Sequence, residues 1–317
     1  MQQHEPLQLD TIRAAQARLA GTVLRTPLVP LPVSNAPAEI YLKLENLQPI
    51  GSFKLRGAYN ALAQVEPDQL ADGVWTASTG NMAQGVAWCA ARMGVRCTVV
   101  MPDGAPAVKR AAVERLGAEI LTVSYPTWLE TFRTRQHPAM KGFFVHAFSD
   151  SEVMAGNATI ALEIFEDLPD VDVVLVPWGG GGLCCGVAAA VRAIAPDCRV
   201  FACEVETAAP LAASLSAGEP VEVPYDAGFV DGIGAPIVFP EMFALAQKLL
   251  DGALVVSLQE IAAAVRILAE RDRIVAEGAG AAAVAVALAG KAGGGKIACV
   301  VSGGNIDTGK FAKLLSS

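Results

Sequence analysis

A chain of 317 residues that is 53% hydrophobic and 18% charged can bury a sizeable core, which excludes a disordered protein. Its formal net charge of −8 comes without any basic stretch, so a nucleic-acid binder is not expected and small molecules are the expected ligands. The longest apolar stretch, 279–289, falls short of the roughly 18 residues that a spanning helix needs. With no export or organelle signal at the N-terminus, the chain reads as cytoplasmic and off the membrane.

Short β-branched runs predict strands at 40–44, 74–77, 96–101, 120–123, 171–177, 199–204 and 296–301. Between them the pattern predicts helices at 81–93, 107–116, 160–167, 183–194 and 258–271. That alternation is the mark of βαβ units and a mostly parallel sheet, so the fold class is α/β. No linker rich in Pro, Gly or Ser cuts the chain in two, and a second domain is therefore expected as an insertion. The seven cysteines include no C-x-x-C pair and read as buried, reduced thiols.

The strongest local signal is Gly179-Gly180-Gly181-Gly182-Leu183, a glycine run that follows a strand and opens a helix. Without side chains the backbone can turn tightly around an oxyanion, and the helix adds its positive end. Ser78-Thr79-Gly80-Asn81-Met82 also joins a strand to a helix and could hold a carboxylate, although an ordinary N-cap by Ser78 or Thr79 explains it equally well. A third turn, 301–307, contains Ser302-Gly303-Gly304 and ends the last strand. In open α/β sheets ligands bind beyond the carboxyl ends of the strands, so these turns describe one pocket.

Two nucleotide-like matches fail on context. Gly278 to Ala283 fits a loose G-x-G-x-x-A but follows a charged helical stretch. Residues 290–296 spell G-x-x-x-x-G-K but lead into a strand, with Ile297 where Ser or Thr would bind magnesium. The histidines have no metal-ligand spacing, and no G-x-S-x-G turn is present. Lys54, in Ser52-Phe53-Lys54, is indistinguishable from a surface charge by periodicity alone.

Taken together, Arg25-Thr26-Pro27-Leu28, Lys43-Leu44-Glu45, 51–62, 78–85, Glu163-Ile164, 179–183, Asp231-Gly232-Ile233 and 302–307 resemble the fold-type II pyridoxal-phosphate enzymes, specifically the serine/threonine dehydratase and serine racemase family. The resemblance implies a tryptophan synthase β-like fold of two three-layer α/β domains. A large domain would take residues 1–72 and 146–317, and a small mobile one would be inserted at 73–145. It implies a homodimer that binds an amino acid and uses pyridoxal 5′-phosphate, with Lys54 as Schiff-base lysine and α-proton base. Phe53 would lie against the cofactor ring and Asn81 would bond its hydroxyl. Gly179, Gly180, Gly181, Gly182 and Leu183 would hold the phosphate, and Ser302 would face the pyridine nitrogen. The substrate would rest on Ser78, Thr79, Gly80, Asn81 and Met82.

The implied reaction is β-elimination of water from a 3-hydroxy L-amino acid to give a 2-oxo acid and ammonia. Racemisation or β-replacement at the same site is the alternative, and a non-catalytic binder or a nucleotide-dependent enzyme a distant one. The chain departs from the family in four places. Thr79 replaces a second Ser that is the acid/base of racemases, which argues against efficient racemisation. Met82 replaces a frequent His beside the substrate carboxylate. Glu277-Gly278-Ala279-Gly280 stands where the family often has Glu-Pro-Ala-Gly, and Pro210 stands where a second carboxylate would join Glu204 on a divalent cation. The last motif lies close to Ser317, so neither a C-terminal regulatory domain nor feedback control by isoleucine is expected.

Overall fold

The computed structural model describes residues 5–226 and 228–316. Two parallel sheets organise them. The larger has the order β1-β2-β10-β7-β8-β9, from Leu28–Pro30 (β1), Glu39–Lys43 (β2), Lys296–Val300 (β10), Val173–Pro177 (β7), Arg199–Val205 (β8) and Gly252–Val256 (β9). Only β1 runs antiparallel, against β2. The smaller sheet has the order β5-β4-β3-β6, from Glu119–Val123, Cys97–Pro102, Val74–Ala77 and Phe143–Phe144.

The buried runs of β7 and β10 carry no polar alternation because both faces of their sheet are covered. Val174, Val176, Ala298 and Val300 face a core with helices α1 (Leu9–Leu19), α6 (Ser151–Asp167), α7 (Gly182–Ile194) and α9 (Pro240–Leu249). Val173, Leu175, Ile297 and Cys299 face the opposite core, with α10 (Leu258–Asp272) and α11 (Gly278–Leu288). A third core lies under the small sheet, between α3 (Asn81–Met93) and α2 (Lys54–Leu62). It takes Leu55, Ala58 and Leu62 from α2 and Val153 from α6, so the small sheet packs on helices from both sides of its stretch of chain.

Sequence periodicity locates the central strands and the edge strand β5 to within two residues but misses the edge strands β1, β6 and β9, of which β1 and β6 are only three and two residues long. The helix expected at 160–167 starts at Ser151, because its first turns are buried nearly all round and show no amphipathic period. The Ala-rich stretch around 279–289 is α11, enclosed in the second core, and no described helix is long and apolar enough to cross a membrane. All seven cysteines are buried and unpaired, and burial pushes their thiols upward in pKa, away from the range in which thiolates form near neutral pH.

A buried ion cluster explains several of the matched segments. Arg56 donates to both oxygens of Glu45 at 2.8 Å and to Glu163 at 2.6 and 2.8 Å, while Lys43 donates to Glu163 at 2.6 Å and to the Thr26 carbonyl at 2.5 Å. These groups tie β2, the turn after it, α2 and α6 into one frame, and α2 begins at Lys54.

Candidate active site

Three turns leave the carboxyl ends of β3, β7 and β10. The loop carrying Lys54 is stitched to the β10 turn by main-chain bonds. Phe53 N donates to Ser302 O at 3.0 Å, Gly304 N donates to Gly51 O at 2.9 Å, and Ser52 bridges Gly303. Lys54 Nζ lies 5.0 Å from the Phe53 ring centre and donates to the Ala147 carbonyl at 2.6 Å. The side chain keeps part of its surface, and no carboxylate pairs with it among the described residues. Burial of its amine lowers the pKa to about 8, so a large neutral fraction exists at mildly alkaline pH.

The glycine run leaves main-chain donors free at a helix start. Gly181 takes φ +94°, a left-handed conformation that favours glycine, and no side chain caps α7. Among the described residues the main-chain N–H groups of 180–183 donate to no acceptor, which leaves the positive end of α7 open. A methyl group on Gly180 would overlap the Phe148 ring, and one on Gly182 would overlap the Phe148 backbone. Leu183 itself is buried in the first core.

The turn after β3 is not capped by Ser78 or Thr79. Gly80 is the N-cap of α3, and the Ser78 hydroxyl accepts only from the Gly80 N–H, at 3.3 Å. The N–H groups of Asn81 and Met82 are left without an acceptor among the described residues. Met82, expected beside the substrate, buries its side chain in the core under α3, so only its main chain belongs to the turn. Ser78, Thr79, Gly80 and Asn81 remain partly exposed.

Asn81 links two of the turns. It donates to Glu277 Oε1 at 2.7 Å and accepts from Asn305 Nδ2 at 2.8 Å, and Asn305 also donates to Ile50 O at 2.8 Å. Burial lifts the Glu277 carboxyl to about 7 against the pull of the Asn81 bond. The sequence motifs contain Glu277 and Asn305 but give them no part, since nothing in spacing brings them to Asn81. Ser302 is 4% exposed, and its hydroxyl makes no hydrogen bond among the described residues.

Glu204 is occupied elsewhere. Its oxygens accept from the N–H groups of Leu211 and Ala212 at 2.9 and 2.8 Å, at the start of α8 (Pro210–Ala217), and burial raises its pKa to about 7. No cluster of metal-ligating side chains stands among the described residues.

Residues 19–303 match the family described as pyridoxal-phosphate dependent enzyme. The chain belongs to that family. It is 40% identical to the L-threonine ammonia-lyase of Thermotoga maritima over 97% of this chain and 78% of the relative. It is 37% identical to the catabolic L-threonine dehydratase TdcB of Escherichia coli over 98% of this chain and 96% of the relative. Maize serine racemase superposes with a TM-score of 0.90 at 32% identity, covering 98% of each chain.

The residues of this pyridoxal-phosphate dependent enzyme fit its cofactor on the chain's own geometry. Among the described residues a lysine with a lowered pKa has no carboxylate partner, an uncapped helix start offers free N–H groups for a phosphate, and the Ser302 hydroxyl makes no hydrogen bond. The nucleotide-like matches do not compete. Gly278 opens α11 after a loop rather than a strand, and residues 290–296 run into β10.

Proposed function

We propose that the enzyme is a lyase that eliminates water from a 3-hydroxy L-amino acid and releases a 2-oxo acid and ammonia. The observation that carries this reading is Lys54, a partly buried amine with a lowered pKa and no counter-ion among the described residues, bonded to the carbonyl of Ala147, whose neighbour Phe148 packs on the glycine run. The names of the Thermotoga and Escherichia relatives support the elimination over other fates.

Pyridoxal phosphate supplies an electron sink conjugated to the substrate α-carbon. Lys54 Nζ, neutral above about pH 8, takes the α-proton. The N–H groups of 180–183 would hold the phosphate, and Phe53, whose ring lies beside Lys54 Nζ, would pack on the cofactor ring. Asn81, fixed by Glu277 and Asn305, would hold the ring hydroxyl. The neutral Ser302 hydroxyl would serve the pyridine nitrogen without forcing a charge on it. The N–H groups at the start of α3, with Ser78 and Thr79, take the substrate carboxylate. The enamine released by water loss tautomerises and hydrolyses, so the water lost is regained and ammonia is the net leaving group.

Residues 73–145 act as the part that closes over the substrate. The enzyme works as a homodimer in the cytoplasm, checked by light scattering and by fractionation. Incubation of the holoenzyme with L-serine, L-threonine, 3-hydroxyaspartate and 3-phenylserine, with 2-oxo acid as readout, tests the reaction. Absence of product from all of them overturns it. The likeness to maize serine racemase keeps racemisation as a second reading, and chiral analysis of recovered substrate separates the two. Little D-isomer is expected, because Thr79 stands in the racemase acid/base position.

A further inference from the structure

An aromatic ladder runs to the lysine. On α5 (Tyr125–Thr134), Trp128 and Phe132 stack with ring centres 5.5 Å apart. Phe132 continues to Phe148 at 5.6 Å, and Phe239, just before α9, closes the group at 5.3 Å from Phe148 and 6.1 Å from Phe132. The inner end is fixed to the catalytic region. Phe148 follows Ala147, whose carbonyl takes the Lys54 amine, and its ring lies on Gly180.

Trp128, Phe132, Phe148 and Phe239 all keep part of their surface, and they come from three separate segments, α5, the stretch after β6 and the residue before α9. The Trp128 Nε1–H is buried with no acceptor among the described residues, a cost that a ligand's acceptor would relieve. The β-carbon of serine or threonine carries too little apolar surface to engage such a wall, whereas an aryl ring offers both area and edge-to-face geometry.

We infer that Trp128, Phe132, Phe148 and Phe239 form the side-chain pocket of the active site and select 3-hydroxy amino acids whose β-carbon carries a planar aromatic group. The inference rests on the proposed elimination for its chemistry and on the ladder for its specificity. The two can fail separately.

The test uses the holoenzyme in two arms. In the first, kcat/KM is measured for L-threo-3-phenylserine and L-serine through 2-oxo acid release, and a ratio of at least about tenfold in favour of phenylserine is expected. In the second, calorimetry measures binding of the unreactive pair L-phenylalanine and L-alanine, with L-phenylalanine expected at least about tenfold tighter. Phe132→Ala, and Phe132→Leu to keep the volume if the first variant misfolds, should cut both ratios at least about fivefold. L-phenylalanine binding no tighter than L-alanine, or ratios unmoved in a folded Phe132 variant, overturns the inference. Tight, Phe132-dependent binding of L-phenylalanine without any 2-oxo acid would instead retain the pocket and reject the elimination.

Discussion

Lys43 and Lys54 lie close in the chain and both sit inside the protein, yet their surroundings are opposite. Lys43 is fully buried between the Glu163 carboxylate and the Thr26 carbonyl, within a cluster that Arg56 and Glu45 complete. Burial lowers the pKa of Lys43, but its ion-pair partners oppose the shift and hold the charge in place. Lys54 meets one carbonyl and, among the described residues, no carboxylate, and burial lowers its pKa without opposition. A cation enclosed by partners supports a frame, while one denied them is available as a base.

The largest effect expected from breaking this contrast is at Lys54 itself. Lys54→Ala should lower turnover by about 10³-fold or more and abolish the visible absorption of lysine-bound cofactor, while far-ultraviolet circular dichroism stays unchanged. A coloured, active variant would mean that the lysine is misassigned.

Next comes the cluster. Arg56→Met leaves Glu45 and part of Glu163 buried without a cation and should cost about 3–5 kcal/mol in urea unfolding of the cofactor-free protein. Lys43→Met leaves Glu163 still held by Arg56 and should cost less, about 1–3 kcal/mol.

The pH dependence sharpens the contrast. Because the Lys54 pKa in the folded state lies near 8, below its ordinary 10.5, the unfolded chain binds more protons between those values. The cofactor-free protein should therefore gain stability, by about 2–3 kcal/mol, as pH rises from 8 to 10.5, and Lys54→Met should remove this gain. Over the lower range kcat, which reports Lys54 as a free amine with substrate bound, should fall about tenfold per pH unit below 8, where the base carries its proton. A flat profile would separate the titrating base from Lys54.

The smallest effect is expected at the exposed pair between Lys109 and Asp231, 2.7 Å apart. Lys109→Ala should shift unfolding by no more than about 0.5 kcal/mol. A larger loss would place that pair with the buried cluster.

The framework is legible in the sequence wherever a rule of local chemistry applies. The parallel strands show as apolar runs, and the glycine run after β7 shows as a helix start without a cap, because neither depends on distant residues. Lys54 is not distinguishable on its own, since its lack of a carboxylate partner is a tertiary fact. Glu277 and Asn305 meet Asn81 from 196 and 224 positions away in the chain, beyond what spacing can show. Met82 belongs to a turn by its position, yet the helix it begins rotates its side chain into the core. The ladder is hidden for a similar reason, with rings on three separate segments that only the packing of the two sheets collects.

The position of β10 in its sheet has a consequence for how the protein is made. The last of the described strands to leave the ribosome lies between β2 and β7, and the turn after it anchors the loop that begins α2. Until residues 296–304 arrive, β2 has no neighbour on that side and Lys54 lacks the main-chain bonds that fix its loop. A product truncated before β10 keeps β2 and β7 as open sheet edges, prone to pairing with another chain.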